Sequence, residues 1–206
     1  MATIGEQTRC KRRWFIAIIL VSLVVLACET IKGSGIETLV GQSVFNKIAL
    51  RTHGKNKIYS SNRFQGGVFI PAGTECTINN ISRNDIEFTA EGEKYVLVGW
   101  RIGYGPVNTR VSFYKFFAEN RETIGLDKIN PKFRQSIISG IAEVGMTKSE
   151  VLLSLGYPGY IENRGRTTDA SRATILASDK WRYLKSRRKK VSLLFEAREL
   201  NEIKRQ

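Results

Sequence analysis

Few side chains of this chain could take part in chemistry. Among its 206 residues are three cysteines and one histidine. His53 stands beside Gly54 and Lys55 in a strand-to-turn context without a nucleophile motif, so a Ser-His-Asp arrangement has no support. The acidic residues show no metal-ligand spacing, and those around Glu91-Gly92-Glu93 are interpreted as a solvated face. We therefore expect neither an enzyme nor a protein with a cofactor.

The cysteine with the most distinctive surroundings is Cys28. A basic cluster at residues 9–13 and an apolar run from Trp14 to Ala27 precede it. A helix over that run rises ~21 Å, which is short of the ~30 Å hydrocarbon core of a bilayer. Basic residues, an apolar stretch and a small residue before the cleavage point are typical of a secretory signal peptide. The sequence predicts a cleaved leader over residues 1–27, with an uncleaved signal anchor as the alternative.

The tetrapeptide Val25-Leu26-Ala27-Cys28 resembles the lipobox of bacterial lipoproteins. The resemblance implies that Cys28 becomes the first mature residue and carries a diacylglycerol and an N-acyl chain such as palmitate. Three chains, at about 0.8 kcal/mol per buried methylene, give stable anchoring without a membrane span. An aspartate after the cysteine usually retains Gram-negative lipoproteins in the inner membrane. Glu29 is permissive, which implies the periplasmic face of the outer membrane, with the inner membrane as the alternative.

The remaining cysteines offer no disulfide within the mature chain. Cys10 leaves with the leader and Cys28 is acylated, so Cys76 is the one free thiol. It alternates with Ile78 on one strand face. We expect Cys76 to be a buried, inert thiol.

The net charge of +14 implies an anionic partner or surface. Because an exported chain rarely meets nucleic acid, this charge favours anionic lipid, lipopolysaccharide or an acidic protein. The densest run of cations consists of Lys185, Arg187, Arg188, Lys189 and Lys190. We expect this run at a hairpin tip in contact with an anionic surface. A solvated basic turn without a specific partner is the alternative.

The first half of the mature chain is typical of short strands separated by turns. Residues 28–42 are interpreted as a tether, and residues 43–117 as a β-rich domain. Five to seven strands in this length indicate a small antiparallel β-barrel or sandwich of SH3-like size. The expected strands cover residues 44–52, 57–60, 74–81, 85–90 and 95–100, with a turn at 71–74 and a hairpin turn at 91–93.

The second half, residues 118–206, begins with two helix signals. Asn130-Pro131 favours a helix start, and the predicted helix runs to Ser139. Thr147 and Glu150 form a capping box for the next helix, which Gly156 ends with a left-handed cap before Pro158. A long polar loop is expected from residue 159 to 178, followed by strands that begin near residues 181, 190 and 200.

The segment Gly145 to Pro158, with the later Trp181-Arg182-Tyr183, resembles the helix and strand signatures of the SmpA/OmlA family, small lipoproteins that include BamE of the outer-membrane β-barrel assembly machinery. The resemblance implies an α+β chain whose second domain is a BamE-like ααβββ two-layer module. It also implies a non-enzymatic accessory or scaffold function among outer-membrane assembly or other envelope proteins. A periplasmic binding or inhibitory module is the alternative. The expected partner-binding residues are Gly145, Met146, Thr147, Tyr157, Pro158, Trp181 and Tyr183, although for Trp181 we favour core packing over an interface role.

Overall fold

A computed structural model describes residues 36–59, 67–82, 85–98, 113–162, 164–167, 170–184 and 189–206. Residues Ile36–Gln206 form one compact unit. The predicted leader, Cys28, Glu29 and the cations Lys185, Arg187 and Arg188 lie outside the described residues. Among the described helices, none is both long and apolar enough to cross a membrane.

The protein is a mixed α+β chain that is rich in sheet and has few helices. Its first sheet has eight strands in the spatial order β4-β2-β3-β7-β6-β5-β1-β8 and curls into a half-barrel. The strands are β1 (Ser43–Asn46), β2 (Leu50–His53), β3 (Lys57–Tyr59), β4 (Phe69–Ile70), β5 (Glu75–Ile81), β6 (Asp85–Ala90), β7 (Glu93–Val98) and β8 (Phe117–Ala118).

One pairing in this sheet departs from the antiparallel arrangement that the sequence predicts. Strands β3 and β7 are parallel, with Ile58 opposite Leu97. A parallel pair needs a long crossover connection. The chain between β3 and β7 supplies one, because it holds β4, β5 and β6.

The strand predicted over residues 44–52 is two strands in the structure. Ile48 and Ala49 are both buried, which breaks the alternation of inward and outward side chains between β1 and β2. The buried Asn46 side chain holds the bend, because its Nδ2 donates to the carbonyl oxygens of Ile48 at 3.0 Å and Pro71 at 2.7 Å. A side-chain amide therefore replaces the strand pairing that a continuous strand would have made.

Strand β6 alternates throughout as predicted, and β5 alternates as far as Ile78, beyond which a register irregularity leaves Asn79 and Asn80 both exposed. The β6 strand matches its predicted bounds, and the β6–β7 hairpin turns at Glu91 and Gly92, which have φ values of 52° and 81°. Cys76 is fully buried as predicted. Phe88 meets Phe117 edge to face at a centroid distance of 5.4 Å, so the strand β8 closes over this part of the core.

Part of the segment interpreted as a tether is packed on this sheet. Ile36 and Leu39 are buried, and residues Glu37–Leu39 form a 3-10 turn. The N–H of Gly41 donates to Ile78 at 2.7 Å. Residues 36–42 thus belong to the folded unit, whereas residues 28–35 lie outside the described part.

Three α-helices follow the first sheet: α1 (Arg134–Ile138), α2 (Lys148–Leu155) and α3 (Arg172–Ala177). A 3-10 turn at Pro131–Phe133 leads into α1, and Asn130 caps it by accepting from the N–H of Lys132. The predicted capping box of α2 is confirmed, since Thr147 accepts from the N–H of Glu150 and the Glu150 side chain accepts from the N–H of Thr147. Both helix starts could be predicted because each depends on residues that are close together in the sequence.

The predicted left-handed cap at Gly156 is wrong, because φ has the expected sign but ψ does not lie in the left-handed helical region. Gly156 has φ 73° but ψ −165°, so the chain leaves α2 extended instead of coiling through a further turn. This exit carries Tyr157 into the core against Phe116, with a centroid distance of 5.7 Å. That backbone region is open essentially to glycine alone, which explains the residue although the cap differs.

The second sheet has five strands in the order β10-β9-β11-β12-β13, and all its pairings are antiparallel. Its last hairpin turns at Ala197 and Arg198, whose φ values of 49° and 76° give a positive-φ turn without the usual Asn-Gly. The strands are β9 (Tyr160–Ile161), β10 (Gly165–Arg166), β11 (Lys180–Leu184), β12 (Lys190–Glu196) and β13 (Glu199–Arg205).

The prediction of a long polar loop over residues 159–178 is wrong, because this segment contains β9, β10 and α3. Three of its apolar residues, Ile161, Ala170 and Ile175, are buried. The indole Nε1 of Trp181 donates to the carbonyl oxygens of Ile175 and Ser178, both at 3.0 Å. A buried tryptophan thus forms hydrogen bonds with a segment whose polar composition is typical of a loop.

Contacts around Lys115 join the two sheets into one core. Its Nζ donates to the carbonyl of Ala170 at 2.8 Å and lies 4.8 Å from the ring centroid of Tyr157. The Tyr157 hydroxyl donates to the carbonyl of Lys115 at 3.1 Å. The first sheet ends at Ala118, next to the domain boundary expected between residues 117 and 118, and that division into two domains stays a prediction.

Candidate binding cleft

Most of the expected partner-binding residues lie in the core. Met146, Tyr157, Pro158, Trp181 and Tyr183 are buried. The Tyr183 hydroxyl donates to the carbonyl of Gly156 at 2.8 Å, and burial raises its pKa well above the ordinary value. This hydrogen bond joins the end of α2 to strand β11 of the second sheet.

The other two expected partner-binding residues are nearer the surface. Thr147 is exposed and caps α2. Gly145 is half-buried with φ 91°, and a side chain there would crowd Phe133 at 3.3 Å. A partner-binding role for this set stays a prediction.

The basic run is only partly within the described residues. Lys189 and Lys190 are exposed at the start of β12. Leu184 of β11 pairs with Lys190 of β12, so the run does connect two antiparallel strands as predicted. Contact of its cations with an anionic surface stays a prediction.

A cleft of about 310 Å³ opens between the first and second sheets. Two arginines reach it, Arg51 from β2 and Arg205 from β13, and its lining contains no acidic residue. The remaining lining residues are Gly140, Ile141, Ala142, Leu155, Tyr183, Val191, Leu193 and Ile203. The cleft thus combines an apolar floor with two guanidinium groups, which suits a ligand that is apolar and anionic at once.

Arg51 is held in position by two groups. Its guanidinium carbon lies 4.5 Å from the ring centroid of Phe69, and Nη2 donates to the carbonyl of Gly140 at 3.2 Å. Its Nε is buried without a hydrogen-bond partner among the described residues. Burial lowers the pKa of Arg51, yet an arginine keeps its charge at neutral pH. The guanidinium therefore brings a fixed positive charge to the cleft, while its Nε itself is enclosed by protein atoms.

Gly140 is required by this arrangement. Its φ is 68°, and a Cβ at this position would lie 2.4 Å from Nη2 of Arg51 and 2.8 Å from the Phe69 ring. A side chain would strain the backbone and displace the arginine. The glycine that ends α1 therefore also allows the guanidinium to approach.

The outer edge of β13 is occupied only along its first part. The N–H of Leu200 donates to Met146 and the N–H of Gly145 donates to Leu200, both at 2.7 Å. Further along, Lys190 and Gln206 exchange both backbone hydrogen bonds, so Ile203 and Arg205 direct their backbone groups away from β12. Those outward groups have no backbone partner within the described part of the chain.

A second and larger opening of about 1030 Å³ lies beside the turn at 71–74 and helix α1. Its lining mixes apolar residues such as Leu126 and Ile137 with charges of both signs, Arg121, Glu122 and Asp127 among them. Because basic and acidic side chains lie in the same wall, their electrostatic potentials partly cancel in the groove. This groove therefore shows less charge preference than the cleft.

The stretch from Ile138, the last residue of α1, to Val144 borders both openings and is unusually apolar at its surface. Ile138, Ile141 and Val144 are 53%, 54% and 55% exposed. Ile138 lines the groove and Ile141 lines the cleft. We call residues 138–144 the apolar connector. Among the described residues, the other exposed large apolar side chains, Val40, Tyr59 and Val68, do not share one short segment.

Other chemistry-bearing residues are isolated in the described part of the chain. No group of three or more histidine, cysteine or acidic side chains there could hold a metal ion. Burial raises the pKa of Cys76 to about 12, so its thiol stays protonated at neutral pH. Glu91 and Glu93 are exposed at the β6–β7 turn, as expected of a solvated face.

The chain matches no protein-family model, and neither the curated proteins nor the solved structures include a match to it. The resemblance to the SmpA/OmlA family therefore stays a prediction.

The sequence reasoning missed the cleft residues Arg51, Ile141, Ile203 and Arg205. They come from three distant parts of the chain, and only the fold brings them together. One signal was available. Ile138, Ile141 and Val144 recur at every third position across the predicted helix end at Ser139, and the last two have no predicted element to bury them.

Proposed function

We propose that this protein is a lipid-anchored outer-membrane lipoprotein that acts as a non-enzymatic accessory or scaffold factor for envelope proteins, resembling BamE of the outer-membrane assembly machinery. Cys28 is its lipidation site, and Glu29 permits its release to the outer membrane. The docking surface is the apolar connector with the two openings beside it.

The observation that carries this proposal is the exposed apolar connector. Large exposed apolar side chains that cluster on a surface are typical of protein interaction sites. Three large aliphatic side chains that are each more than half exposed lie within residues 138–144. Burying one of them against a partner contributes roughly 1 kcal/mol or more, so a protein partner gains most by covering this segment.

The order of elements supports the finer resemblance. Helices α1 and α2 are followed by the antiparallel strands β11, β12 and β13, in the order expected of a BamE-like module. The short strands β9 and β10 and the helix α3 are additions between them. The module and its partner class remain part of the proposal.

Site-specific photo-cross-linking in a Gram-negative cell tests the docking surface. A photoreactive residue replaces Ile141 in the full chain, and the matched control replaces Val40, which is 43% exposed and lies outside the connector. We expect an adduct with an outer-membrane assembly component or another envelope protein from position 141 and at most a trace from position 40. Equal adducts from both positions, or adducts with cytosolic proteins alone, contradict the proposal.

A further inference from the structure

We propose that the cleft captures the free C-terminus of a partner's extended segment, which adds as a strand to the outer edge of β13. This inference rests on the proposed docking function and names the kind of segment that docks.

In the residues that the structure describes, the backbone of β13 is left unpaired along the second part of its outer edge. Residues Gly145–Lys148 cover its edge near Leu200, and the residues that precede them, 140–142, line the cleft. Beyond that point Ile203 and Arg205 present outward N–H and C=O groups without a backbone partner among the described residues. An extended segment satisfies such groups by adding a strand.

The side chains of the same residues, Ile203 and Arg205, line the cleft. An added strand would therefore direct every second side chain toward it. The volume of about 310 Å³ is at the low end for ligand pockets. This space suits one large apolar side chain better than a long acyl chain.

The positive charges of the cleft favour the C-terminus of a bound peptide, which carries a carboxylate, over an internal segment. Two guanidinium groups, those of Arg51 and Arg205, reach an otherwise apolar lining that lacks acidic residues. A C-terminal residue carries its carboxylate on the same Cα as its side chain. It can therefore fill the apolar floor and meet an arginine at once, and arginine binds carboxylates with charge-assisted hydrogen bonds.

The other face of β13 shows how this edge avoids indiscriminate pairing. Glu202 and Lys204 alternate with the cleft-lining residues and pair with each other at 3.0 Å. Charged side chains on an edge strand disfavour pairing with unrelated strands. Lys204 also supplies a matched control, since it lies on the same strand as Arg205 with the same charge and does not line the cleft.

The test measures binding of two synthetic peptides to the full chain purified in detergent. Both peptides alternate threonine and valine and end in phenylalanine, and they differ only in a free carboxylate or an amide at the C-terminus. Fluorescence anisotropy should show about tenfold tighter binding of the free acid, which equals about 1.4 kcal/mol. Arg51→Gln and Arg205→Gln should each reduce this preference, Arg51→Lys should partly retain it, and Lys204→Gln should leave it unchanged.

Two further arms separate the alternatives. N-methylation of alternate peptide amides should weaken binding if the peptide pairs as a strand. Decanoate should compete weakly. Equal binding of the acid and the amide overturns the inference. So does an unchanged preference for the acid in both Arg51→Gln and Arg205→Gln, provided that each variant has the same melting temperature as the native chain. Strong decanoate binding without peptide binding also overturns it and indicates a site for anionic amphiphiles. None of these failures affects the cross-linking result at position 141, which tests the docking function separately.

Discussion

The aromatic cluster of the second sheet and the apolar connector contain similarly apolar side chains in opposite surroundings. Trp181 and Tyr183 are fully buried and donate hydrogen bonds to backbone carbonyls. Ile138, Ile141 and Val144 are each more than half exposed. The difference teaches that Trp181 and Tyr183, the aromatic residues that stand out in the sequence, belong to the core of the second sheet, whereas the less conspicuous aliphatic residues of the connector lie at the surface.

The largest expected effect of any substitution is at Trp181. Trp181→Ala removes a fully buried side chain that packs on Phe195 at 4.6 Å between ring centroids. It should lower the free energy of unfolding by about 3–5 kcal/mol, measured by denaturant titration. A loss below that of an ordinary surface substitution would place Trp181 outside the core and undo the comparison.

Alkaline pH should expose the burial of Cys76. The folded-state pKa of Cys76 is raised to about 12 from an ordinary value of 9.0, because burial disfavours the thiolate. Between these two values the unfolded chain has lost the proton that the folded chain keeps, so rising pH favours unfolding. The contribution of Cys76 to the unfolding free energy should be fully present below about pH 9. Above that pH it should fall by up to about 1.4 kcal/mol per pH unit.

The measurement for Cys76 compares the pH dependence of the unfolding free energy in the native chain and in Cys76→Ala. The other titrating groups are common to both proteins and cancel in the difference. The native chain should lose stability more steeply above about pH 9. Parallel curves would show that the thiol is not desolvated.

The capping box of α2 should give an intermediate effect. Thr147→Ala removes the acceptor for the N–H of Glu150 without touching the core, because Thr147 is exposed. We expect a loss of about 1 kcal/mol in the free energy of unfolding, with Thr147→Ser as the conservative control that retains the cap. If Thr147→Ser were as damaging as Thr147→Ala, the hydroxyl would not be the stabilising group.

The smallest effect on stability is expected at the apolar connector. Ile141→Ser should change the unfolding free energy by about 0.5 kcal/mol or less, because the side chain is 54% exposed. The same change should clearly reduce partner cross-linking from a photoreactive residue at position 144. A large stability loss with unchanged cross-linking would reverse the roles assigned to the two regions.

Local signals account for what the sequence predicted well. The start of α2 depends on Thr147 and Glu150, three residues apart, and β6 on the alternation of Ile86 and Phe88 with polar neighbours. The burial of Cys76 followed from the same alternation.

Distant contacts account for what the sequence could not predict. The parallel pairing of β3 with β7 joins residues about 40 positions apart in the chain. The helix α3 lies in a polar segment whose fold depends on Trp181. The cleft needs Arg51 and Arg205 together, and no pattern within either strand indicates that they meet.

The identity of the mature N-terminus tests the central claim, a lipid-anchored docking protein, most directly. The full chain is expressed in a Gram-negative bacterium and its N-terminal peptide is analysed by intact-mass and tandem mass spectrometry, with Cys28→Ser as the control. The account predicts a chain that begins at Cys28 and carries a diacylglyceryl and an N-acyl group, and no such species in the control. An unmodified chain that begins at Met1 would contradict it.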